Sequence, residues 1–585
     1  MLGKRSVQEN MFTVDQQYLS FIGEDSFYGY LAAHRHELFD DEDFGFLYCR
    51  DNGRASVPPS VLATTLLLQW YDGVADQEAV DRAKYDLRWK VALGLTMEEE
   101  PFVKSTLQLF RTQLIVHKQA RKLFEASLSH ARQKRFFRSP KLKVALDTTP
   151  IFGKGAVEDT YNLLAEALRQ VLHVLADLQD TEYERFAGDH GFDRYVQSSF
   201  KGSFTIDWDD DDQRQTVLTA LVADGERGLA LARTILAQYP DTSDQAQRIL
   251  QSVELLSQIL AQDVQRTPSG EAQLIQGVAP ERIVSVHDPE MRHGRKSVSQ
   301  RFDGYKAAIA VDVDQQLITA VDVLPANAHD AEGAQMLVEQ SERNTQTQVE
   351  TVIGDTAYGT LEQRLASHTN DRLLVAPVPK PPATGRFTKA DFQIDPSGES
   401  VRCPAGETTS LWYGQKRTTR RGTSFLHKAF RFPQNQCHAC ALRSRCLKPG
   451  ARWRSLTVNQ HEDLLQAAHQ FQRTDRFRQL YRLRVTVEHR IARMIQLGMR
   501  NARYFGSSKV LFQIAMVAAV ANLTLIAGRT TLGSFFVALL ALAVASTIAH
   551  RFSYKLWGLT AVPIEIHRSI HCRPPFVRPK QLLFG

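Results

Sequence analysis

Hydrophobic and polar positions change period several times along this chain, and each change marks an element. After Pro58-Pro59-Ser60, the run from Val61 to Trp70 predicts a helix that starts at the prolines, with Ser60 as its cap. Between Ala79 and Gly94, the apolar residues Tyr85, Leu87, Trp89, Val91 and Leu93 stand among charges, and a glycine closes the segment. A further helix is predicted from Ser105 to Leu128, so residues 1–135 read as a helical N-terminal domain. The pattern turns strand-like at Leu142-Lys143-Val144-Ala145-Leu146-Asp147. It becomes helical again over 157–185 and 212–264, where Val217, Leu218, Leu221, Leu229, Leu231 and Ile235 recur, predicting a helical insertion over about 157–280. Strand patterns resume at Tyr305–Val313 and Leu317–Val323, either side of Asp314-Gln315-Gln316, which predicts an antiparallel hairpin. A helix over Ala331–Arg343, a strand from Val349 to Asp355 and a strand from Arg372 to Pro377 follow.

Two apolar runs lie near the C terminus. Val510–Ala527 carries Gln513 and Asn522 and is expected to pack on the core; Leu532–Ala549 has no charge over 18 residues. That length is at the lower limit of a membrane span, ~17–25 residues, and a buried or dimer-forming helix is favoured over a membrane anchor.

Composition sharpens this picture at one place. A chain of 585 residues exceeds one ordinary core, and its 43% apolar and 23% charged residues describe a folded, multidomain protein. The net charge of +6 conceals an asymmetry. Residues 411–510 hold 21 Lys/Arg against four Asp/Glu, whereas residues 1–410 hold 43 against 60. A basic segment around Glu488 suits a polyanionic partner, although such arginines also serve as solvated faces. Met1–Gln17 is polar, so no secretory leader is expected, and the cysteine usage fits a reducing, cytoplasmic compartment.

Candidate chemistry centres on three acids. Asp147 and Asp355 end strand-like runs, and Glu488 lies in a basic helical stretch, Tyr481–Arg490. Such acids converging on a pair of divalent cations, Mg²⁺ or Mn²⁺, suit phosphodiester cleavage and rejoining. Asp147 or Asp355 taken alone is more often a cap or turn former than a ligand. Asp303, Asp312 and Asp322 are weaker candidates, the last two as hairpin surface acids; His287, Asp288 and His293 are expected in a loop beside DNA. Arg135 and Arg138 sit in a basic-aromatic linker, Arg132–Arg138, suited equally to phosphate contacts or to docking Phe136 and Phe137 in a core. The element order fits an α+β multidomain chain with an RNase H-like mixed β-sheet catalytic core. The core's first part is 136–380 and its closing helices are 456–530; residues 531–585 form an apolar helix and tail without an assigned role.

Residues 381–455 form a small Cys-rich insertion. Cys403, Cys437, Cys440 and Cys446 could bind a structural Zn²⁺, with His427 and His438 as alternative ligands. The competing reading is buried, idle thiols. Cys49 and Cys572 stand alone.

From about residue 20 to 530 the chain resembles the DDE transposases of bacterial insertion sequences, in particular the group numbered eleven eighty-two. The resemblance rests on Leu146-Asp147-Thr148-Thr149-Pro150, on Gly155 to Asn162, and on Arg301-Phe302-Asp303-Gly304-Tyr305-Lys306. Gly354-Asp355-Thr356-Ala357-Tyr358-Gly359 and the Cys403-Pro404-Ala405-Gly406 segment add to it. Tyr481, Arg484 and Glu488 fit a Tyr-x2-Arg-x3-Glu pattern. Relatives often carry a lysine seven residues after the glutamate; here that position is Ile495, and Arg493 is the nearest basic residue. The resemblance implies binding of terminal inverted repeats, Asp147, Asp355 and Glu488 as catalytic metal ligands, and DNA contacts from Tyr481, Arg484, Arg490 and Arg493. It also implies double-stranded DNA (element ends and target) as partner, a homodimer holding two ends together, and work at the bacterial nucleoid. An inactive DNA-binding relative and a nuclease that cuts without strand transfer are the alternatives.

Overall fold

In the computed structural model, β1 (Lys141–Phe152) is the axis around which the other elements gather. The structure describes residues 1–5, 14–49, 53–268, 270–277, 279–297, 299–380, 385–395, 399–418 and 424–530. Two units are distinguished, Met1–Ile526 and Ala527–Gly585; of the second only 527–530 are described. The run Leu532–Ala549 and Cys572 therefore lie outside the described residues.

The N-terminal segment is helical. Its principal helices are α1 (Phe27–Leu38), α2 (Pro59–Asp72), α3 (Lys104–Val116) and α4 (Lys122–Gln133). The start of α2 differs from expectation: Pro58 is the flanking residue, and Ser60 lies inside the helix with its backbone N–H donating to Asp41 Oδ1 at 2.8 Å. An acid from a neighbouring loop thus replaces the self-cap. The single helix expected from Ser105 to Leu128 is two, because the chain turns at Lys118 with φ of +58°. On α4, Arg132 Nη1 donates to the carbonyl of Asn344 at 3.0 Å. Just before it, Arg121 donates to Val321 O at 3.1 Å and Asp322 Oδ1 at 2.5 Å.

After β1, residues fold into α5 (Thr160–Leu178), α6 (Asp211–Leu236) and α7 (Asp244–Asp263), which share an apolar core built on Leu168, Leu172, Leu218, Leu221 and Leu256. The chain then returns to the sheet as β2 (Arg292–Arg295), β3 (Arg301–Asp312) and β4 (Ile318–Pro325). Helix α8 (Ala334–Thr345), β5 (Gln348–Ile353) and β6 (Leu373–Val375) follow. β1 runs antiparallel to β3, with Asp147 opposite Ile309, and parallel to β5, with Ala145 opposite Ile353. β6 lies parallel to β5; β2 and then β4 pair along the other flank of β3. Gly304, in the Arg301–Lys306 segment, has φ of +142°, and a Cβ there would meet Gly153 N and Ile151 O at 2.3 Å. Only glycine permits that approach of β3 to β1.

Alternation along β1 sorts its two faces. Leu142, Val144 and Leu146 enter an apolar core with Leu337, Val338, Val349 and Val352 under α8. The opposite parity, which includes Asp147, faces away from that core.

The Cys-rich segment carries a three-stranded antiparallel sheet, β7 (Trp412–Thr418), β8 (Ser424–Arg431) and β9 (Ser455–Asn459). Three helices close the unit: α9 (Asp475–Arg482), α10 (Val485–Gln496), which packs across β1 and β3, and α11 (Ser507–Thr530). By length and composition alone α11 could cross a membrane, yet most of it is buried within the protein. Its two buried polar residues explain how. Asn522 Oδ1 accepts from Ile318 N at 2.9 Å while its Nδ2 donates to Ile318 O at 2.8 Å. Gln513 Oε1 accepts from Arg503 N at 2.8 Å and its Nε2 donates to Asn501 O at 2.8 Å.

Candidate active site

Asp147 sits in mid-strand rather than at a strand end, because β1 continues through Thr148-Thr149-Pro150 to Phe152. Asp355 stands two residues beyond the end of β5, where its Oδ1 accepts from Ala357 N at 2.8 Å and caps a short turn of 3₁₀ helix. The parallel register that sets Ala145 beside Ile353 brings Asp147 and Asp355 to neighbouring positions. Glu488 enters from the first turn of α10. Burial raises the Asp147 carboxyl to about 6, and Asp355 and Glu488 push the same way; the Thr148 N–H and Arg484 oppose them. Three carboxylates from distant segments thus share one electrostatic neighbourhood.

Arg484 binds two of them. Its Nη1 donates to Asp147 Oδ2 at 3.0 Å and its Nη2 to Glu488 Oε1. One guanidinium does not balance three acids, and their repulsion adds to the burial that raises the Asp147 carboxyl. Oxygen donors short of positive charge suit a hard divalent cation. The donor set fits Mg²⁺ or Mn²⁺.

The stretch around Glu488 is not one helix. α9 ends at Arg482 and α10 starts at Val485, with Arg484 at the junction. Tyr481 therefore belongs to α9, where its ring stacks on Phe477 (centroids 5.5 Å apart, planes at 12°), rather than sharing a helical face with Glu488. Arg490, expected at DNA, is buried, and its Nη2 donates to Ala521 O at 2.6 Å. Arg493 is half-buried with Nη1 3.3 Å from Gln496 Oε1; Arg135 and Arg138 are exposed, joined by Arg138 Nε to Arg135 O at 2.9 Å. Arg500 latches the chain after α10 onto β1, donating to Pro150 O at 2.8 Å and Thr149 Oγ1 at 3.2 Å.

A supporting layer was not read from the sequence. Thr148 Oγ1 and Lys306 Nζ both donate to Asp330 Oδ1 at 2.8 Å, and Lys306 also reaches Ala328 O at 2.7 Å. Burial works the other way, but Lys306 and Thr148 hold the Asp330 carboxyl below its usual range. Tyr358 is buried with its hydroxyl unpartnered; burial, with Asp147, Asp330 and Asp355 nearby, keeps that phenol protonated. The chemical type of Asp330 gave no signal; its position after the hairpin, in Ala328-His329-Asp330, could have.

Of the weaker acids, Asp303 Oδ1 meets His293 Nδ1 at 2.5 Å, and Asp322 pairs with Arg121. Asp312 is buried rather than on the surface, accepting from Gln315 N at 2.9 Å. Asp288 is buried too, accepting from the Tyr305 hydroxyl at 2.5 Å and Gly506 N at 3.2 Å, so it holds structure together rather than lining a DNA loop. His287 is exposed.

The four cysteines line one cavity with Phe432, Gln436 and Leu447. Burial, with Cys437, Cys403 and Cys440 close by, raises the Cys446 thiol, and the Leu442 N–H points at Cys440 Sγ, 3.4 Å away. Four thiols lining one hollow are of the donor type that suits a zinc-type ion. His427 lies on β8 opposite Asn459, and His438 on the short helix Gln434–Ala439.

Two segments match known protein families. Residues 18–113 match a transposase domain, and residues 402–527 match a transposase DDE domain. The second match contains Glu488 and the four cysteines; Asp147 and Asp355 lie outside both. No curated protein matches the chain. Together the two matches support a transposase of the insertion-sequence type.

Proposed function

We propose that this chain is the transposase of a bacterial insertion sequence, similar to the group numbered eleven eighty-two. It would bind the terminal inverted repeats and catalyse cleavage and strand transfer at an Asp147–Asp355–Glu488 centre. The observation that carries the reading is the meeting of these carboxylates around Arg484. A central strand with an antiparallel hairpin on one flank and parallel strands on the other supports an RNase H-like core.

Asp147, Asp355 and Glu488 would hold Mg²⁺ or Mn²⁺, two ions in the full complex, which supply charge for activating a hydroxyl nucleophile and for stabilising a leaving oxygen. The chain's own residues prepare that site. Thr148, Asp330 and Lys306 fix the strand beside Asp147, and Arg500 fixes the segment that follows Glu488. Above about pH 6 Asp147 is ionised and available as a ligand. Arg484, once released from the acids, is placed to meet a backbone phosphate, and the exposed Arg135 and Arg138 extend the basic track. The cysteine cavity would hold Zn²⁺ as a staple for a small insert with few core residues. The working form would be a dimer in the cytoplasm, each copy engaging one DNA end.

The test incubates the protein, Mg²⁺, the DNA flanking its reading frame and a target plasmid. Joined products support the proposal. Nicks alone would indicate a nuclease, and binding alone an inactive DNA-binding protein; either result would sink it.

A further inference from the structure

Far from the acids in sequence, α1 and α4 bring together a different donor set. His34 and Glu37 lie three residues apart on one face of α1, and His130 projects from α4. Their ligand atoms all fall within 4.8 Å of one another, the one such group of His, Cys, Asp and Glu among the described residues. His34 Nδ1 is 3.2 Å and His130 Nδ1 3.6 Å from Glu37 Oε2. Both nitrogens are buried, and neither makes a hydrogen bond.

That stand-off is informative. His293 closes on Asp303 to 2.5 Å, whereas both imidazoles here stop short of Glu37. Ligand atoms about 2.0–2.1 Å from a tetrahedral zinc ion sit roughly 3.3 Å from each other. The two imidazole–carboxylate separations lie near that value. His130 is also prepared for the role. Its ring is buried. Its Nε2 lies 2.6 Å from the Tyr30 hydroxyl, and an Nε2–H donating there leaves the lone pair on Nδ1, directed at the cluster.

We propose that His34, Glu37 and His130 form a site for a borderline transition cation of the zinc type, with water completing the coordination on the exposed side of Glu37. Such an ion ties α1 to α4, the helix that leads through Lys134–Pro140 into β1. Lys134 is its built-in competitor, because its Nζ sits 2.9 Å from the same Glu37 oxygen. The site is chemically distinct from the thiols of the Cys-rich segment and from the all-oxygen acids of the candidate active centre.

The test loads the metal-stripped full chain with Zn²⁺, dialyses it and counts bound equivalents by elemental analysis. Wild type is compared with His34→Gln and Glu37→Gln, whose side chains are partly exposed and whose loss leaves the core intact. The expected result is one equivalent fewer in each variant, while Co²⁺ loading gives the same thiolate charge-transfer band as wild type. Tyr30→Phe should weaken binding by about 10–100-fold, and Lys134→Met should tighten it several-fold. An unchanged zinc content in either His34→Gln or Glu37→Gln overturns the proposal, whatever the cysteines bind. Since His130→Asn alters a buried position and can fail to fold, the two α1 variants decide the matter.

Discussion

Two aspartates on paired strands, Asp312 buried and Asp147 half-buried, behave alike as single groups and unlike as neighbours. Asp312 on β3 pairs with Val144, three residues before Asp147 on β1, and burial raises each carboxyl to about 6. Asp312 has hairpin company: the Gln315 N–H, with Asp314 and Lys143 nearby. Asp147 has two more acids and the guanidinium of Arg484. A perturbed carboxylate marks burial; it is the convergence of further acids from remote segments that marks a place for a cation.

The largest expected contrast is in catalysis. Asp147→Asn, Asp355→Asn or Glu488→Gln should each lower DNA-end cleavage by several kcal/mol, roughly 10³-fold, with binding of the same DNA retained. Asp312→Asn should cleave within a few-fold of wild type. Equal losses at Asp312 and Asp147 would erase the distinction.

Stability should follow the opposite logic. For both aspartates the folded pKa of about 6 exceeds the ordinary 3.8 of an aspartate, so the folded state holds the proton more tightly. Each therefore contributes a loss of stability as pH rises from about 4 to 6, complete above that window. Asp147→Asn and Asp312→Asn should each stabilise the protein at pH 7 by on the order of 1–3 kcal/mol, and should flatten that part of a urea-unfolding pH profile. Adding Mg²⁺ should stabilise wild type and Asp312→Asn but not Asp147→Asn. A matching Mg²⁺ response in all three would break the comparison.

Arg484 allows a finer probe. Without DNA, Arg484→Gln should tighten Mn²⁺ binding about tenfold, ~1.4 kcal/mol, because a positive competitor leaves Asp147 and Glu488; cleavage should fall nonetheless. Weaker Mn²⁺ binding by the variant would show that the arginine organises the acids instead of competing for them. The smallest effect is expected at Thr148→Val, which removes the hydroxyl held by Asp330. Cleavage should drop by roughly three- to tenfold, in line with one hydrogen bond of about 0.5–1.5 kcal/mol, with thermal unfolding barely moved.

The strands and their order were legible because each is a short apolar run bounded by turn residues, and the hairpin around Asp314 left two such runs and the turn between them. The helical stretches carried the period of their own buried faces. What escaped was set by tertiary contact. No local signal says that β1 runs on past Asp147, since Thr148, Thr149 and Pro150 read equally well as a turn. The break between α9 and α10 is hidden in an uninterrupted basic-apolar pattern. Arg490 was misread although the clue was present: Val487, Ile491 and Met494 define the buried stripe of α10, and Arg490 lies on it. Asp330 and the orphan hydroxyl of Tyr358 acquire meaning only from residues far away in the chain.

The amide of Asn522 has a consequence beyond seating a greasy helix. Among the described residues, β4 is hydrogen-bonded to a neighbouring strand on one side only. Along its open margin Asn522 occupies both backbone groups of Ile318, Asn344 the carbonyl of Thr319, and Arg121 that of Val321. A foreign strand seeking to prolong the sheet would first have to strip away side chains from three separate segments, so this border is closed to runaway self-templating.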